Sequence, residues 1–506
     1  MIRSGLLLVL VAVPVWGQAH VEDGTVEGLT ATAQRSLQLS DTRAAERYVQ
    51  AYSDALDFRL EDALDGFNEV GRLDPASPAS AYGLETVTLW RAFLTEEDEV
   101  FDRFYELNDS LQTAADRQGA ELLGATAKLH RALAFGRQER YTRAGNSFRE
   151  ACGRFREISD TGALYGRGVC EVAGGSVPRS YRWLARLLGF RGSVAGGLAS
   201  LEVASLEDGL LRDDALIAFA IADATLNERR AGSVDRLVAL SESRPSSPLL
   251  AYLAGYHLLL DRRASEAEVA LRRGAESVRA PDVEAVPFLD AHLGLALYRQ
   301  HKFEEALPLL ERYARTFHGR ALLAQTTLRA GLSHEMLGDR RRAEGFYRRV
   351  RASRDYDTDL SAAREAERRL EAPMTSAERA LLLGEAAFDG GSDLEAVRLL
   401  QPVVTDSELP AVVRAEAAYR TGRAYQSLER WADAQRHFQL AIDRPGDPLA
   451  KWGPWSIYHS GEIEEATGDL DAARQLYERV LEDETEFDYH KALEQRARTA
   501  LERIGR

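Results

Sequence analysis

"AEAAYRTGRAYQSLERWADAQRHFQLAIDRP", Ala415 to Pro445, decides the fold of this chain. Within it Gly422 is followed by Ala434 twelve residues on and by Phe438 sixteen residues on. The same register recurs from Gly255, Gly294, Gly331, Gly384 and Gly461. Ala267, Ala306, Ala343, Ala396 and Ala473 stand at plus twelve, and Leu271, Leu310, Tyr347, Leu400 and Tyr477 at plus sixteen. A fixed internal period names an architecture directly. Glycine inside a helix costs about 1 kcal/mol relative to alanine. A chain that keeps it at one register needs a close helix–helix approach there. The expected unit is a helical hairpin. Its first helix carries the glycine, and its second carries the alanine that faces it. The large residue one turn later fills the next layer of the same face. Gly338-Asp339, Gly390-Gly391 and Gly468-Asp469 supply the turns between the two helices.

Gly422, Tyr425, Ala434, Phe438, Ala441 and a nearby proline follow the order of the tetratricopeptide repeat, which this stretch resembles. "GEIEEATGDLDAARQLYERVL" from Gly461 is a further copy, with Glu464 and Val480 at positions the family fills otherwise. Weaker copies run through Ala51, Ala63 and Phe67, and through Ala132, Phe135, Ala144, Phe148 and Ala151. A divergent one spans Ala215 to Pro245. The resemblance implies an all-α fold, an α-solenoid of tetratricopeptide-like hairpins. Its central helical insertion is divergent, and a C-terminal helix covers the end.

The glycine steps are 39, 37, 53, 38 and 39 residues, read from their positions. The long step holds "RASRDYDTDLSAAREAERRLEAP", and a similar tract from Glu482 to Arg506 closes the chain. Each reads as an extra helix over the exposed end of a sub-array, where a repeat protein needs a polar cover. The expected organisation is a signal peptide over 1–19, then N-terminal repeats over 40–155. A divergent central segment follows over 156–213, then repeats with an extra helix over 214–372. C-terminal repeats with a covering helix fill 373–506.

The signal-peptide expectation rests on Arg3, the apolar run "GLLLVLVAV" and small residues placing cleavage near Gly17 or Ala19. No later stretch reaches the length of a membrane span. The mature chain is expected to be exported, to a periplasm or outside the cell, with His20 to Ser40 as a loose lead-in. Two cysteines, Cys152 and Cys170, sit on neighbouring antiparallel helices of this scheme. An oxidising compartment permits a disulfide between them, and two buried thiols are the alternative.

The central tract "SVPRSYRWLARLLGFRG", Ser176 to Gly192, departs from the repeat. With the "SVAGGLASLEVAS" after it, it resembles the middle of the eukaryotic inclusion-body-clearance family of tetratricopeptide proteins. That family is cytosolic and linked to lipid droplets, which conflicts with an export signal. The resemblance therefore carries architecture and no role. Trp183, Leu187 and Phe190 have two readings, a membrane- or partner-inserting wedge and a buried insertion between sub-arrays.

The sequence offers no catalytic constellation. Ten histidines are scattered without a metal-binding pair, and "GLSHEMLGD" lacks the second histidine of a zinc motif. There is no nucleophile elbow and no phosphate-binding glycine loop. No cofactor is expected. A formal charge of −16 argues against non-specific nucleic-acid binding, which wants a basic surface, and no nucleic-acid partner is expected. What remains is a groove. In the repeat family, first helices line the concave face at minus six, minus three, plus one, plus four and plus five from the glycine. Those positions hold Tyr252 and Tyr256; then Phe288, Tyr298 and Arg299; then Tyr419, Arg423 and Gln426; then Trp455, Tyr458 and Glu462. Tyrosine, tryptophan and arginine carry much interface energy. The expected function is a non-catalytic scaffold for a protein or extended peptide of the bacterial envelope. A glycan-binding module is the first alternative, and an enzyme with a site in 155–213 the second.

Overall fold

A β-carbon added to any of the six register glycines would come within 3.0 Å of the residue sixteen positions on. Gly294 would meet Leu310 at 2.6 Å, Gly422 Phe438 at 2.6 Å and Gly461 Tyr477 at 2.7 Å. This corrects the expected pairing. The glycine receives the large side chain of the second helix directly, and the alanine sits one turn away on the same face. Both layers are sealed. Ala267, Ala306, Ala396 and Ala434 are fully buried, as are Leu271, Leu310, Leu400 and Phe438.

The computed structural model describes residues 26–176, 192–206, 211–226, 230–352, 357–443, 451–483, 485, 487 and 489–505. Among them are 25 helices and no strand. They form eleven consecutive hairpins, from Thr42–Leu56 with Leu60–Leu73 to Trp452–Thr467 with Leu470–Glu482. The fold is an α-solenoid of the tetratricopeptide type. Three single helices are added: Val26–Ser36, Asp357–Glu371 and His490–Ile504. The first corrects the expected loose lead-in, because Ala33, Leu37 and Leu39 bury themselves in the core. Asp357–Glu371 packs on both helices of the hairpin before it, most closely on Leu323–Met336, and His490–Ile504 packs mainly on Leu470–Glu482. The tract holding Trp183, Leu187 and Phe190 lies outside the described residues, as does the expected signal peptide.

Every hairpin of the glycine register turns at plus seven, in left-handed backbone. Gly338, Gly391 and Gly468 hold that position with φ of 86°, 89° and 94°. Asp339 and Asp469 follow and cap the second helices. In the other three repeats the position belongs to Arg262, His301 and Glu429, at φ of 61°, 61° and 57°. A side chain held there carries a backbone cost that glycine avoids.

Cys152, on helix Tyr141–Glu157, and Cys170, on helix Ala163–Gly175, are joined in a disulfide with their Cα atoms 5.7 Å apart.

The solenoid coils until distant repeats touch. In one seam, the Glu284 amide donates to the Phe58 carbonyl at 2.9 Å, and Arg244 Nε donates to Asp57 at 2.9 Å. Arg91 Nε binds Glu284 at 3.0 Å, and the Arg320 amide donates to Glu96 at 2.6 Å. In a second seam, turn 262–264 abuts turn 390–391. A β-carbon on Gly391 would collide with the Arg262 carbonyl, so glycine is required there. His301 Nε2 lies 2.9 Å from the Leu383 carbonyl across the same seam. One apolar core runs unbroken from Ala33 to Ala386. Beyond it the core divides into four smaller clusters.

Candidate functional site on the inner face of the C-terminal repeats

The expected groove residues fall into separate groups. Tyr252 and Tyr256 stack on one another, with centroids 6.2 Å apart, and both meet His292. Phe288 closes this cluster at 5.8 Å from Tyr252. Tyr298 is 8% exposed and packs edge-on against Phe303. Tyr458 is 2% exposed and packs against Tyr477 and Trp455. These two correct the expectation, because each spends its surface on inter-helix packing. Arg299 donates to the Leu259 carbonyl at 2.6 Å and faces Asp389 at 3.7 Å. Trp455 stacks on His459 at 5.7 Å, with the Arg496 guanidinium 5.5 Å from its centroid.

Tyr419, Arg423, Gln426 and Glu462 do come together, on helices Ala411–Ser427 and Trp452–Thr467. Their link is His459, one of the ten histidines scattered along the sequence. Arg423 Nη1 lies 2.8 Å from His459 Nε2, and His459 Nδ1 lies 2.6 Å from Glu462 Oε2. A guanidinium only donates. Nε2 therefore accepts, the proton sits on Nδ1, and it is donated to Glu462. Gln426 Nε2 adds a second donor to Glu462 at 3.1 Å. Burial, and then the Arg423 charge, push His459 down to about 4, so the ring is neutral at neutral pH. Burial alone would raise Glu462, but His459, Arg423 and Gln426 outweigh it and hold the carboxyl at about 2.

Beside this chain of bonds lies a pocket of about 280 Å³, lined by Arg262, Phe388, Arg423, Gln426, Trp431 and Glu462, among others. Arg262 enters from the other side of the second seam. Its Nε donates to the Phe388 carbonyl at 2.7 Å and its Nη1 to Ser427 Oγ at 2.7 Å, and it is ion-paired with Asp393. Its guanidinium lies 3.8 Å from the Phe388 ring centroid, while Arg423 lies 5.5 Å from the same ring. Phe388 and Arg262 were missed in the sequence. The register contains the signal for both. Phe388 stands at plus four from Gly384, and Arg262 is a non-glycine at a left-handed turn.

Towards the middle repeats the inner face continues as a charged lattice. Arg420 pairs with Glu385 at 2.9 Å and Glu416 at 2.8 Å. The side chains of Glu385 and Asp389 keep 48% and 42% of their surface accessible. Surrounding protein raises the Asp389 carboxyl despite Arg299. The same effect on Glu385 is outweighed by Arg420, which leaves that carboxyl below its usual value.

No family model matches the chain, and neither does any curated protein. Among solved structures it is similar to the Cut9–Hcn1 hetero-tetramer of the APC/C, at 15% identity and a TM-score of 0.29, over 94% of this chain and 98% of that one. Yeast Tom70 matches at 13% identity and 0.31, over 90% and 96%. The human IFIT1 dimer with PPP-AAAA matches at 14% and 0.29, over 92% and 95%. The fold assignment above rests on the hairpin register itself. Among the described residues no group of three or more His, Cys, Asp or Glu is placed to hold a metal ion. No helix among them is long and apolar enough to cross a membrane.

Proposed function

We infer that the chain is an exported, non-catalytic scaffold that holds a protein or extended peptide on the inner face of its C-terminal repeats. One observation carries this reading. That face presents charged side chains which stay accessible, with Glu385 and Asp389 the most open, on a frame of rigid helices. Export is supported by the apolar segment after Arg3 and by the Cys152–Cys170 bridge, because disulfides persist in oxidising compartments. The formal charge of −16 disfavours nucleic acid as the partner.

Capture from an envelope extract on the immobilised mature chain tests the scaffold. The expected result is a defined protein partner that is lost from the Glu385→Ala, Asp389→Ala double variant. Retention of polysaccharide without protein would support the glycan-binding alternative. Fractionation of cells producing the tagged full chain tests export. Recovery from the cytosol with the first residues intact would refute it.

A further inference from the structure

Charge is segregated on the outer surface, although the chain as a whole is acidic. Helix Asp98–Gln118 carries six carboxylates against Arg103 and Arg117, a formal −4. The stretch Asp339–Arg351 carries six arginines against Asp339 and Glu344, a formal +4. The first is a second helix, and the second is a second helix with the residues just after it, so both lie away from the inner face. Part of each patch is neutralised within the chain. Arg103 pairs with Glu106 and Arg131 with Asp109, while Glu344 pairs with Arg340 and Arg348. Glu99 and Asp102 are exposed, as are Arg341, Arg349 and Arg351, and none of the five has an oppositely charged partner among the described residues. A surface that serves solubility alone intersperses the two signs.

The two patches flank one loop. Helix Asp98–Gln118 begins two residues past Glu96, which accepts from the Arg320 amide at 2.6 Å and the Ala321 amide at 3.0 Å. Arg349 Nη2 donates to the Ala314 carbonyl at 2.9 Å, on the helix that leads into the same loop. The first seam therefore sets an acidic and a basic patch on either side of residues 317–322. Such a surface is complementary to itself. About a two-fold axis the acidic patch of one copy meets the basic patch of the other, and the contact occurs twice. A foreign partner of one sign satisfies one patch and faces like charge on the other.

We propose that this surface pairs two copies of the chain, with Glu99 and Asp102 of each copy against Arg341, Arg349 and Arg351 of the other. The contact is ionic and exposed, so it sets orientation more than affinity, and the pair dissociates in the micromolar range. It leaves both inner faces open. The dimer then presents two partner surfaces at once, whatever the partner is.

Sedimentation velocity of the mature chain at micromolar concentrations tests the pairing. The natural chain should show a monomer–dimer equilibrium that weakens about ten-fold as salt rises from about 100 mM to about 500 mM. Arg341→Glu with Arg351→Glu should weaken it at least about ten-fold, because carboxylates then face carboxylates. Glu99→Arg with Asp102→Arg should do the same by opposing arginine to arginine. Circular dichroism confirms that both variants fold. An equimolar mixture of the two variants should dimerise again, since each reversed patch then meets its complement. A misfolded variant could not give that recovery, and the salt series needs no variant. A natural chain that stays monomeric, a dimer indifferent to salt or to either reversal, or a mixture that fails to pair would overturn the proposal.

Discussion

The two halves of the solenoid solve the same geometric problem in opposite ways. In both, first helices converge on an inner face. In the N-terminal half that face is closed. Tyr48, Tyr82, Glu85, His130, Tyr165 and Asp214 lie on five different first helices, and none is more than 2% exposed. Asp214 acts electrostatically on Tyr48, Tyr82 and Tyr165 at once, so these helices crowd about one axis. Burial first, then Asp214, raises all three hydroxyls. In the C-terminal half, first helix Ser376–Asp389 carries the carboxylates of Asp389 and Glu385, with 42% and 48% of their surface accessible. A closed inner face contributes to the core, and an open one is free to meet a ligand. The first half is thus read as the anchor and the second as the working surface.

The largest effects that can break this contrast come from the core. Phe67 and Phe438 are both fully buried, and each fills the plus-sixteen layer of its repeat. Either change to alanine should cost about 3–5 kcal/mol. The reach of the damage should differ. Phe67 belongs to the core that runs from Ala33 to Ala386, so Phe67→Ala should loosen amides along that whole length. Phe438 sits in a small cluster with Ala434 and Ile463, so Phe438→Ala should open only the terminal repeats. Hydrogen exchange resolved by peptide reads both. Equal reach for the two variants would abolish the distinction.

Carboxylates give the next test. Glu85 is fully buried, accepts from Asn108 at 2.7 Å and lies 2.8 Å from His130 Nδ1. Glu85→Ala strips both partners inside a closed core and should cost about 3 kcal/mol, seen as a lowered denaturation midpoint. Glu385→Ala removes an accessible carboxylate that water replaces, and should stay within about 1 kcal/mol. A large loss from Glu385→Ala would mean that the C-terminal face is structural and carries no free surface.

The hairpins themselves were legible, because steric demands repeat with the period. A helical glycine six times at one register leaves few explanations, and the turn at plus seven follows from the same count. The pairing of that glycine was misread. Sequence spacing shows which residues share a face, but not whether the alanine or the large residue one turn on reaches the glycine backbone. Tyr298 and Tyr458 were misplaced for a related reason. A groove position on a first helix faces the ligand only where no neighbouring repeat covers it. The seams were not legible at all, since Arg262 meets Phe388 and Asp393 only after the solenoid has coiled. Their trace is local. Arg262 and His301 occupy left-handed turns that glycine fills elsewhere, and both reach across a seam. That trace gains meaning only with the partner in view.

Acid gives the effect most specific to the later repeats. His292 and His459 are buried, and burial lowers each from 6.5 to about 4. In the unfolded chain both take up a proton near 6.5, while the folded chain resists until about 4. Between those values the unfolded state binds more protons, so stability rises with pH and falls on acidification. From pH 7 to pH 5 each histidine should remove about 2 kcal/mol. Glu462 adds nothing in that range. Its carboxyl is held at about 2 against a usual 4.5, so its contribution stands above 4.5 and is lost only below it. His292 and His459 lie in the middle and last repeats. Hydrogen exchange at pH 5 should therefore show helices Pro287–Arg299 and Trp452–Thr467 loosening before Thr42–Leu56. His459→Asn should remove its share of the pH dependence. It should also disconnect Arg423 from Glu462, which joins the acid response to the pocket through one ring.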